Sequence, residues 1–402
     1  MITIRDTETI AFRGGLKAFS DGWIGKPNNL QSIHTPFKLC HDIILKLTEF
    51  TSLDNLTFCC FNIEWVEVLV EDFGVPAKNI WFVTDCEAKG KVIKECGRYN
   101  GIHTVCKNPL KWKKKMQFDC VIMNPPYQEP VAKSPKKLWN LFLHKGMSIC
   151  KEGGHLVAIT PFSWATPDNE TFDLFTRYNT KMIDLNGKKF FPKEGTTISW
   201  YLIENATNKG CTMVFCGDEQ FSVDLRNVDF LPVNISKLSL SILGKLLSNP
   251  VRLGVQYNSF CHSQRTDRVS SLKITPYIYP VKHTANVILY STTQHPNTAI
   301  KKVIFPISSA MKAEYDPIGG FGCSEHYAWV EVESQKQAEA VVSFLHSDVI
   351  SFLRKSTQWT ASWSKPILDK IPAIPLDKTL SQIETYDYFG FDKEERALIQ
   401  NS

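Results

Sequence analysis

The polar tetrapeptide Asn124-Pro125-Pro126-Tyr127 is the segment of this sequence best suited to chemistry. It directly follows the apolar run Phe118–Met123, which predicts a buried strand. Because ligands of open α/β sheets bind at the carboxyl ends of strands, we expect a ligand site here. The amide oxygen of Asn124 and the carbonyl of Pro125 can accept hydrogen bonds from one amino group, and Tyr127 offers a face for stacking. The pattern predicts a site for a planar aminated base, and the alternative is an ordinary Asn-Pro turn.

Strands and helices alternate along the chain up to this tetrapeptide. Apolar, β-prone runs predict strands at Leu56–Phe61, Ile80–Val83, Thr104–Cys106 and Phe118–Met123. Helical spacing of apolar residues predicts helices within Thr35–Phe50, Glu64–Phe73 and Lys89–Cys96. This alternation is typical of a doubly wound sheet. We therefore expect an α/β fold with a doubly wound, Rossmann-like sheet that ends near Asn205.

The pattern changes after the polar, turn-rich segment Thr207–Gly210. Residues 211–333 contain many short β-prone runs, and Ala338–Leu353 shows helical periodicity. We expect a mixed β-rich second domain with one late helix. The predicted organisation is an arm or cap at residues 1–32, a first domain at 33–207 and a second domain at 208–402.

Composition limits the class of protein. The 402 residues suffice for two domains, and 43% apolar content argues against disorder. The net charge of +5 permits a polyanionic partner without requiring one. The twelve cysteines stand singly apart from Cys59-Cys60, with no Cys-x-x-Cys and no paired Cys/His spacing. We expect reduced thiols and no metal site.

The sequence also bears on localisation. The stretch Met1–Asp6 lacks the apolar region of a signal sequence, and no run approaches the roughly 18 apolar residues that cross a membrane. We expect an intracellular, cytoplasmic protein with no membrane partner.

In this setting the tetrapeptide resembles the catalytic motif of amino-methyltransferases, which transfer a methyl group from S-adenosylmethionine to nitrogen on adenine, cytosine or glutamine. The segment His34-Thr35-Pro36-Phe37 precedes it, as in adenine-specific DNA methyltransferases of restriction-modification systems with the gamma order of motifs. Further segments that resemble this family are Leu138–Phe142, Lys151–Val157, Thr160–Trp164, Gly195–Tyr201, Trp359, Trp363, Lys370–Pro372 and Tyr388–Phe391.

The resemblance implies that Asn124, Pro125, Pro126 and Tyr127 are catalytic and that S-adenosylmethionine is the cofactor. The cofactor-binding residues that it implies are Thr35, Pro36, Phe61, Asn62, Glu64, Asp85 and Asn108. The chain departs from the family after the first strand, where these enzymes carry a Gly-rich turn. We expect Asn62 to adopt a left-handed conformation there and Glu64 to accept from the ammonium group of the cofactor. The alternative is a lost cofactor site.

A target base inside a duplex must be flipped into the site and stacked on aromatic rings. Tyr127 is the first candidate, and Phe162 or Phe191 could supply a second face, with core packing as their alternative. The lysines Lys133, Lys136 and Lys137 follow the tetrapeptide and are placed to contact phosphates.

The resemblance thus predicts a site-specific DNA adenine methyltransferase that acts on double-stranded DNA, with a possible separate restriction endonuclease as partner. The second domain would recognise the target through base edges, with Gln264–Arg268 and Gln358–Trp363 as candidate contacts or, equally, surface turns. Methylation of RNA or of a protein glutamine is one rival prediction. A catalytically inactive DNA-binding relative is the other.

Overall fold

The computed structural model describes residues 13–15, 34–113, 116–127, 137–192, 197–359 and 362–402. The chain divides into two compact units. The first unit comprises Met1–Trp164 and Asn169–Val228, and the second comprises Ala165–Asp168 and Asp229–Ser402.

A nine-stranded sheet organises the first unit, with strand order β3-β2-β1-β4-β5-β7-β6-β8-β9. Its strands are β1 Phe58–Cys60, β2 Ile80–Thr84, β3 His103–Cys106, β4 Phe118–Met123, β5 Cys150–Pro161, β6 Tyr178–Asp184, β7 Ile198–Thr207, β8 Thr212–Cys216 and β9 Glu219–Val223. Strands β1 to β5 pair in parallel, whereas β7 lies antiparallel to both β5 and β6. The sheet is therefore doubly wound, and the predicted α/β class is confirmed.

Helices connect these strands, and the first three lie where the apolar periodicity predicts helices. They are α1 Phe37–Leu47, α2 Ile63–Glu71, α3 Glu87–Glu95, α4 Leu138–Ile149 and α5 Phe172–Arg177. In α1 the residues Leu39, Ile43 and Leu47 recur every four positions and are all buried, because this spacing places them on one face. Helix α2 connects β1 to β2 and is buried along Ile63–Leu69, so this connection lies inside the first unit.

The first sheet extends further along the chain than the sequence predicts. The hairpin of β8 and β9 continues it, since β8 pairs in parallel with β6 and β9 pairs with β8. The sequence pattern assigns these residues to the second domain, because their short β-prone runs follow the turn Thr207–Gly210. That assignment is wrong, since this turn lies within the first unit.

The second unit contains two small sheets and six helices among its described residues. The strands are β10 Val269–Ser270, β11 Tyr279–Thr284, β12 Val287–Ser291, β13 Lys302–Pro306, β14 Glu314–Asp316, β15 Gly322–Cys323 and β16 Tyr327–Glu331. The sheet orders are β10-β12-β11-β15 and β14-β13-β16. The helices are α6 Lys237–Leu247, α7 Gln335–Leu345, α8 Asp348–Ser356, α9 Lys365–Leu368, α10 Gln382–Phe389 and α11 Lys393–Gln400.

The late helix predicted at Ala338–Leu353 is two helices. Helix α7 ends at Leu345, and the side chain of Ser347 caps α8 by accepting from the amide of Ile350 at 3.4 Å. A serine that caps a new helix satisfies orphan amides and permits a change of direction, while apolar periodicity continues on both sides of it. The periodicity therefore concealed the break.

All twelve cysteines are free thiols, and eight of them are buried. The sequence predicts reduced, mostly buried thiols. Within the described ranges, no helix combines the length and apolar character that a bilayer crossing requires.

Candidate active site

The predicted site residues converge at one edge of the first sheet. Strands β1 to β4 are parallel, so their carboxyl ends meet there. From β1 the chain proceeds to β2 and β3 on one side, whereas β4 and β5 lie on the other side. The strand order thus reverses between β1 and β4, and such a switch point forms a crevice where doubly wound folds bind ligands. Asn62 and Asn124 follow β1 and β4 at this position.

The side chain of Asn62 holds the backbone of Asn124. Its Oδ1 accepts from the amide nitrogen of Asn124 at 2.7 Å, and its Nδ2 donates to the carbonyl of Asn124 at 3.0 Å. Both residues are buried. The paired hydrogen bonds reproduce the pattern of a strand ladder, so the start of the tetrapeptide is fixed to the end of β1.

The predicted left-handed conformation of Asn62 is wrong. Its φ and ψ are −129° and 143°, which is extended backbone, because the residue precedes the first turn of α2. Asparagine in this position commonly caps the helix, yet here its side chain makes no cap hydrogen bond. The amide reaches across to Asn124 instead. The turn after β1 therefore uses a side chain that connects two strand ends, where the family has glycines.

Thr35 contacts the other end of Asn124. The Nδ2 of Asn124 donates to Oγ1 of Thr35 at 3.1 Å, and Thr35 is fully buried. Pro36 follows as the residue before α1, with φ of −55° and ψ of 131°. The ring of Pro36 fixes its own φ at the point where the helix begins. Thr35, the residue before it, is held at the edge of the sheet by its hydrogen bond with Asn124. The structure thus brings the Thr-Pro segment and the tetrapeptide into direct contact.

Glu64 is buried in the first turn of α2 and pairs with His34, whose Nδ1 lies 2.7 Å from its Oε1. Burial alone would raise the pKa of Glu64, but the hydrogen bond with His34 and the charge of Lys89 lower it below its ordinary value. Glu64 is therefore a carboxylate at neutral pH. Both Glu64 and Asn124 anchor the segment that leads into α1.

The remaining predicted cofactor residues lie at neighbouring strand ends. Phe61 is buried after β1, and its amide donates to the carbonyl of Ile122 at 3.2 Å. Asp85 follows β2 and is half-buried. Asn108 follows β3, where its Oδ1 accepts from the amide of Leu110 at 2.9 Å and closes a turn. One edge therefore presents carboxylate, amide and aromatic groups together.

The aromatic candidates divide by burial. Tyr127 is half-buried and packs against the first unit's core. Phe162 is 1% exposed and lies edge-on to Trp164, with ring centroids 5.2 Å apart. Phe191 is 5% exposed within the same core as the central strands. Phe162 and Phe191 thus pack as the core alternative predicts, and Tyr127 is the aromatic side chain at the tetrapeptide.

A known protein family matches one segment in the first half of this chain. Residues 77–191 match the family described as Eco57I restriction-modification methylase, a segment that includes the tetrapeptide. This segment is a restriction-modification methylase domain. The match confirms the resemblance of this segment to restriction-modification methyltransferases, and the doubly wound sheet is the fold that this resemblance implies.

Solved structures resemble larger parts of the chain at low identity. The type IIG restriction endonuclease BpuSI is 10% identical, with a TM-score of 0.48, and the match covers 100% of this chain and 65% of BpuSI. The type IIL restriction-modification enzyme MmeI is 10% identical, with a TM-score of 0.48 over 91% of this chain and 67% of MmeI. A type I methyltransferase subunit from Streptococcus thermophilus is 14% identical, with a TM-score of 0.36 over 50% of this chain and 51% of that subunit.

The chain thus spans just under two thirds of the length of BpuSI. No curated protein sequence matches the chain.

The lysines predicted to contact phosphates can be placed only in part. Lys133 and Lys136 lie outside the described residues of the methylase domain. Lys137 is exposed and directly precedes α4. An exposed lysine at this position stays available to a polyanion.

Sequence reasoning missed His34 and Lys89 as neighbours of Glu64. His34 begins the segment His34-Thr35-Pro36-Phe37, and its partner Glu64 lies 30 residues away in the sequence. Lys89 is buried in α3, an unusual environment for a lysine. No local spacing marks either neighbour, because His34 precedes α1 and Lys89 lies in α3, both far from Glu64 in the sequence.

Proposed function

We propose that the chain is a site-specific DNA adenine methyltransferase that transfers a methyl group from S-adenosylmethionine to N6 of an adenine flipped out of duplex DNA. One observation carries the proposal. The tetrapeptide of the methylase domain lies at the switch point of the sheet, and Asn124 is held there through its backbone by Asn62 and through its side chain by Thr35. A reaction that needs its reacting groups precisely aligned requires a catalytic side chain that is held in place in this way.

The residues of the tetrapeptide suit the nucleophile. The lone pair of adenine N6 is delocalised into the ring, so the amino group must be held and made pyramidal before it reacts. The amide oxygen of Asn124 and the carbonyl of Pro125 are hydrogen-bond acceptors for the two N6 hydrogens. They favour the charge that builds on nitrogen in the transition state. Tyr127 would stack on the flipped base.

The strand ends suit the cofactor. When bound, S-adenosylmethionine supplies an activated methyl group on a sulfonium. Its ammonium group and ribose hydroxyls are hydrogen-bond donors, and the acids at the ends of β1 and β2 are acceptors. Glu64 is buried and ionised, and Asp85 is half-buried after β2, where doubly wound folds place an acid for ribose. Phe61 adds apolar surface. The residues present therefore fit the group, with Glu64 sharing its charge with His34.

The second unit would recognise the DNA sequence. It supplies Gln264–Arg268, and the side chains from Gln264 to Asp267 are exposed and polar, as base-edge contacts require. The other candidate stretch is less suitable, because Trp363 is buried and Trp359 donates to the carbonyl of Leu231 at 3.1 Å. A separate restriction endonuclease would complete the system.

The test is transfer of labelled methyl from S-adenosylmethionine to unmethylated duplex DNA, followed by digestion to nucleosides. We expect label in N6-methyladenine with the wild type and none with Asn124→Ala. Asn179→Ala is the matched control, because Asn179 is also a buried asparagine but lies at the start of β6. It should retain transfer.

Other outcomes would contradict the proposal. Label in RNA or in protein glutamine, with none in DNA, would support the first rival. Absence of transfer together with absence of cofactor binding by calorimetry would indicate a catalytically inactive DNA-binding relative, with the glycine-free turn at Asn62 as the cause.

A further inference from the structure

A cluster of metal-binding side chains lies in the second unit, apart from the residues of the methylase domain. It consists of His283, Glu325 and His326, whose ligand atoms all lie within 4.8 Å of one another. His283 belongs to β11, and the other two residues lie between β15 and β16. The parallel pairing of β11 with β15, in which Lys282 faces Cys323, brings the two segments together.

The side chains of this cluster are close enough together to surround one ion. The Nε2 of His326 lies 3.3 Å from Oε1 of Glu325, and the rings of His283 and His326 are 4.9 Å apart between centroids. Another imidazole is close, since Nδ1 of His262 lies 3.9 Å from the same carboxylate oxygen. The side chains of Glu325 and His326 are 13% and 33% exposed, so an ion can enter.

The carboxylate is held in place by a neighbour. The Oγ of Ser263 donates to Oε1 of Glu325 at 2.5 Å, and the amide of Ser263 donates to Oε2 at 3.0 Å. Metal ligands commonly receive such outer hydrogen bonds, which fix their orientation. These two hydrogen bonds therefore fix the carboxylate of Glu325 beside the imidazole of His326.

The two imidazoles supply nitrogen ligands. A neutral imidazole offers the lone pair of a ring nitrogen to a cation. The Nδ1 of His326 is buried and makes no hydrogen bond within the described part of the chain. Two imidazoles and one carboxylate form a common ligand set for Zn²⁺.

We propose that His283, Glu325 and His326 bind one Zn²⁺ ion, with His262 beside the fourth coordination position. The inference does not rest on the proposed methyl transfer. The site has a structural reason in the sheet that carries it. Among the residues that the structure describes, the hydrophobic core beside that sheet has four buried side chains, Cys261, Val269, Val281 and Leu289, with the partly buried Phe260 packed against them. So small a core supplies little stabilisation, and small folded regions commonly compensate with a metal that links distant segments.

The experiment uses the full chain, stripped with a chelator and titrated with Zn²⁺ by calorimetry and with Co²⁺ by visible absorption. We expect one equivalent of tight binding and the absorption of four-coordinate Co²⁺. His283→Gln and Glu325→Gln should each abolish that binding, and Ser263→Ala should weaken it by about 10- to 100-fold. His144→Ala is the control, because His144 is an exposed histidine of the first unit.

Two results would overturn the proposal. One is the absence of stoichiometric binding by the wild type. The other is equal binding by wild type, His283→Gln and Glu325→Gln, which would mean that surface groups bind the metal nonspecifically. Circular dichroism of each variant establishes that it is folded, and metal analysis of wild type purified without added zinc gives an independent measurement.

Discussion

Replacing Asn62 by alanine tests how the site is assembled. The substitution removes the amide that accepts from the Asn124 nitrogen at 2.7 Å and donates to the Asn124 carbonyl at 3.0 Å. The Asn62 amide contacts the backbone of the tetrapeptide, so its removal acts on the position of Asn124. We therefore expect Asn62 to act as a positioning residue, and its loss should impair methyl transfer through Asn124.

The magnitude follows from burial. Asn62 is 1% exposed and Asn124 is fully buried, so water cannot easily replace the lost bonds. Each buried backbone group left without a partner costs about 1–3 kcal/mol, and two such groups cost roughly 2–6 kcal/mol of unfolding free energy. A shift of the tetrapeptide by about 1 Å would lower the rate on the order of 100-fold. The loss of rate should appear in the single-turnover methylation step.

Asn208→Ala is the matched control. Asn208 is also buried, its Nδ2 donates to the carbonyl of Thr176 at 2.8 Å, and its Oδ1 accepts from the amide of Gly210 at 2.7 Å. It follows β7, which runs antiparallel to β5, so it lies at the edge of the sheet opposite to the tetrapeptide. The two variants should lose comparable stability in urea unfolding, while only Asn62→Ala should lose methylation.

Two outcomes would refute this reasoning. If Asn62→Ala keeps the wild-type single-turnover rate, the amide does not position Asn124 for catalysis. If both variants lose rate in proportion to their lost stability, the effect on catalysis is one of general unfolding. Measurement below the unfolding transition of each variant separates these results.

Further predictions concern packing and pH. Gly187→Ala should destabilise the first unit by about 1–3 kcal/mol in urea unfolding, because a Cβ there would lie 2.6 Å from the backbone oxygen of Ile198. Gly244→Ala should stabilise α6 by roughly 0.5–1 kcal/mol, since a Cβ at this helical glycine meets nothing within 4 Å; a loss of stability would contradict the packing described. Asp119 is the pH probe: burial would raise its pKa, but the hydrogen bond from Lys151 at 2.8 Å and those from Thr57 lower it. Its contribution is therefore full above the unfolded pKa of about 4 and is lost as pH falls through the lower folded pKa. Unfolding measured over this acid range should show a smaller pH dependence for Asp119→Asn, and parallel curves would exclude the ion pair as a source of stability.

Much of the first sheet could be predicted because its strands are buried and carry strong local signals. The strand predicted at Phe118–Met123 has the same first and last residues as β4. Five of its six residues are buried, and the prolines after Asn124 end the strand. Short hairpin strands carry less information. Residues of β8 and β9 read as β-prone without indicating which sheet they join, because strand pairing is decided by distant partners.

The site could be predicted by position more readily than by contact. The strand-end rule placed Asn62, Asp85, Asn108 and Asn124 at one edge. The conformation of Asn62 could not be predicted, because it depends on a partner 62 residues away. The histidine cluster of the second unit was missed for the same reason. Its members have no local metal-binding spacing, and the pairing of β11 with β15 alone brings them together.

The hairpin of β8 and β9 bears on how the first unit can be prepared as a separate fragment. A fragment cut at Thr207–Gly210 would leave β6 with an uncovered row of backbone donors and acceptors, and such rows recruit strands from other molecules. With the hairpin present, the strand at this edge of the sheet is β9, whose Glu219 and Gln220 are exposed. A short strand with a charged, polar edge discourages that association. The hairpin therefore covers this edge of the first unit, and a fragment designed to avoid such association should extend at least through Val228.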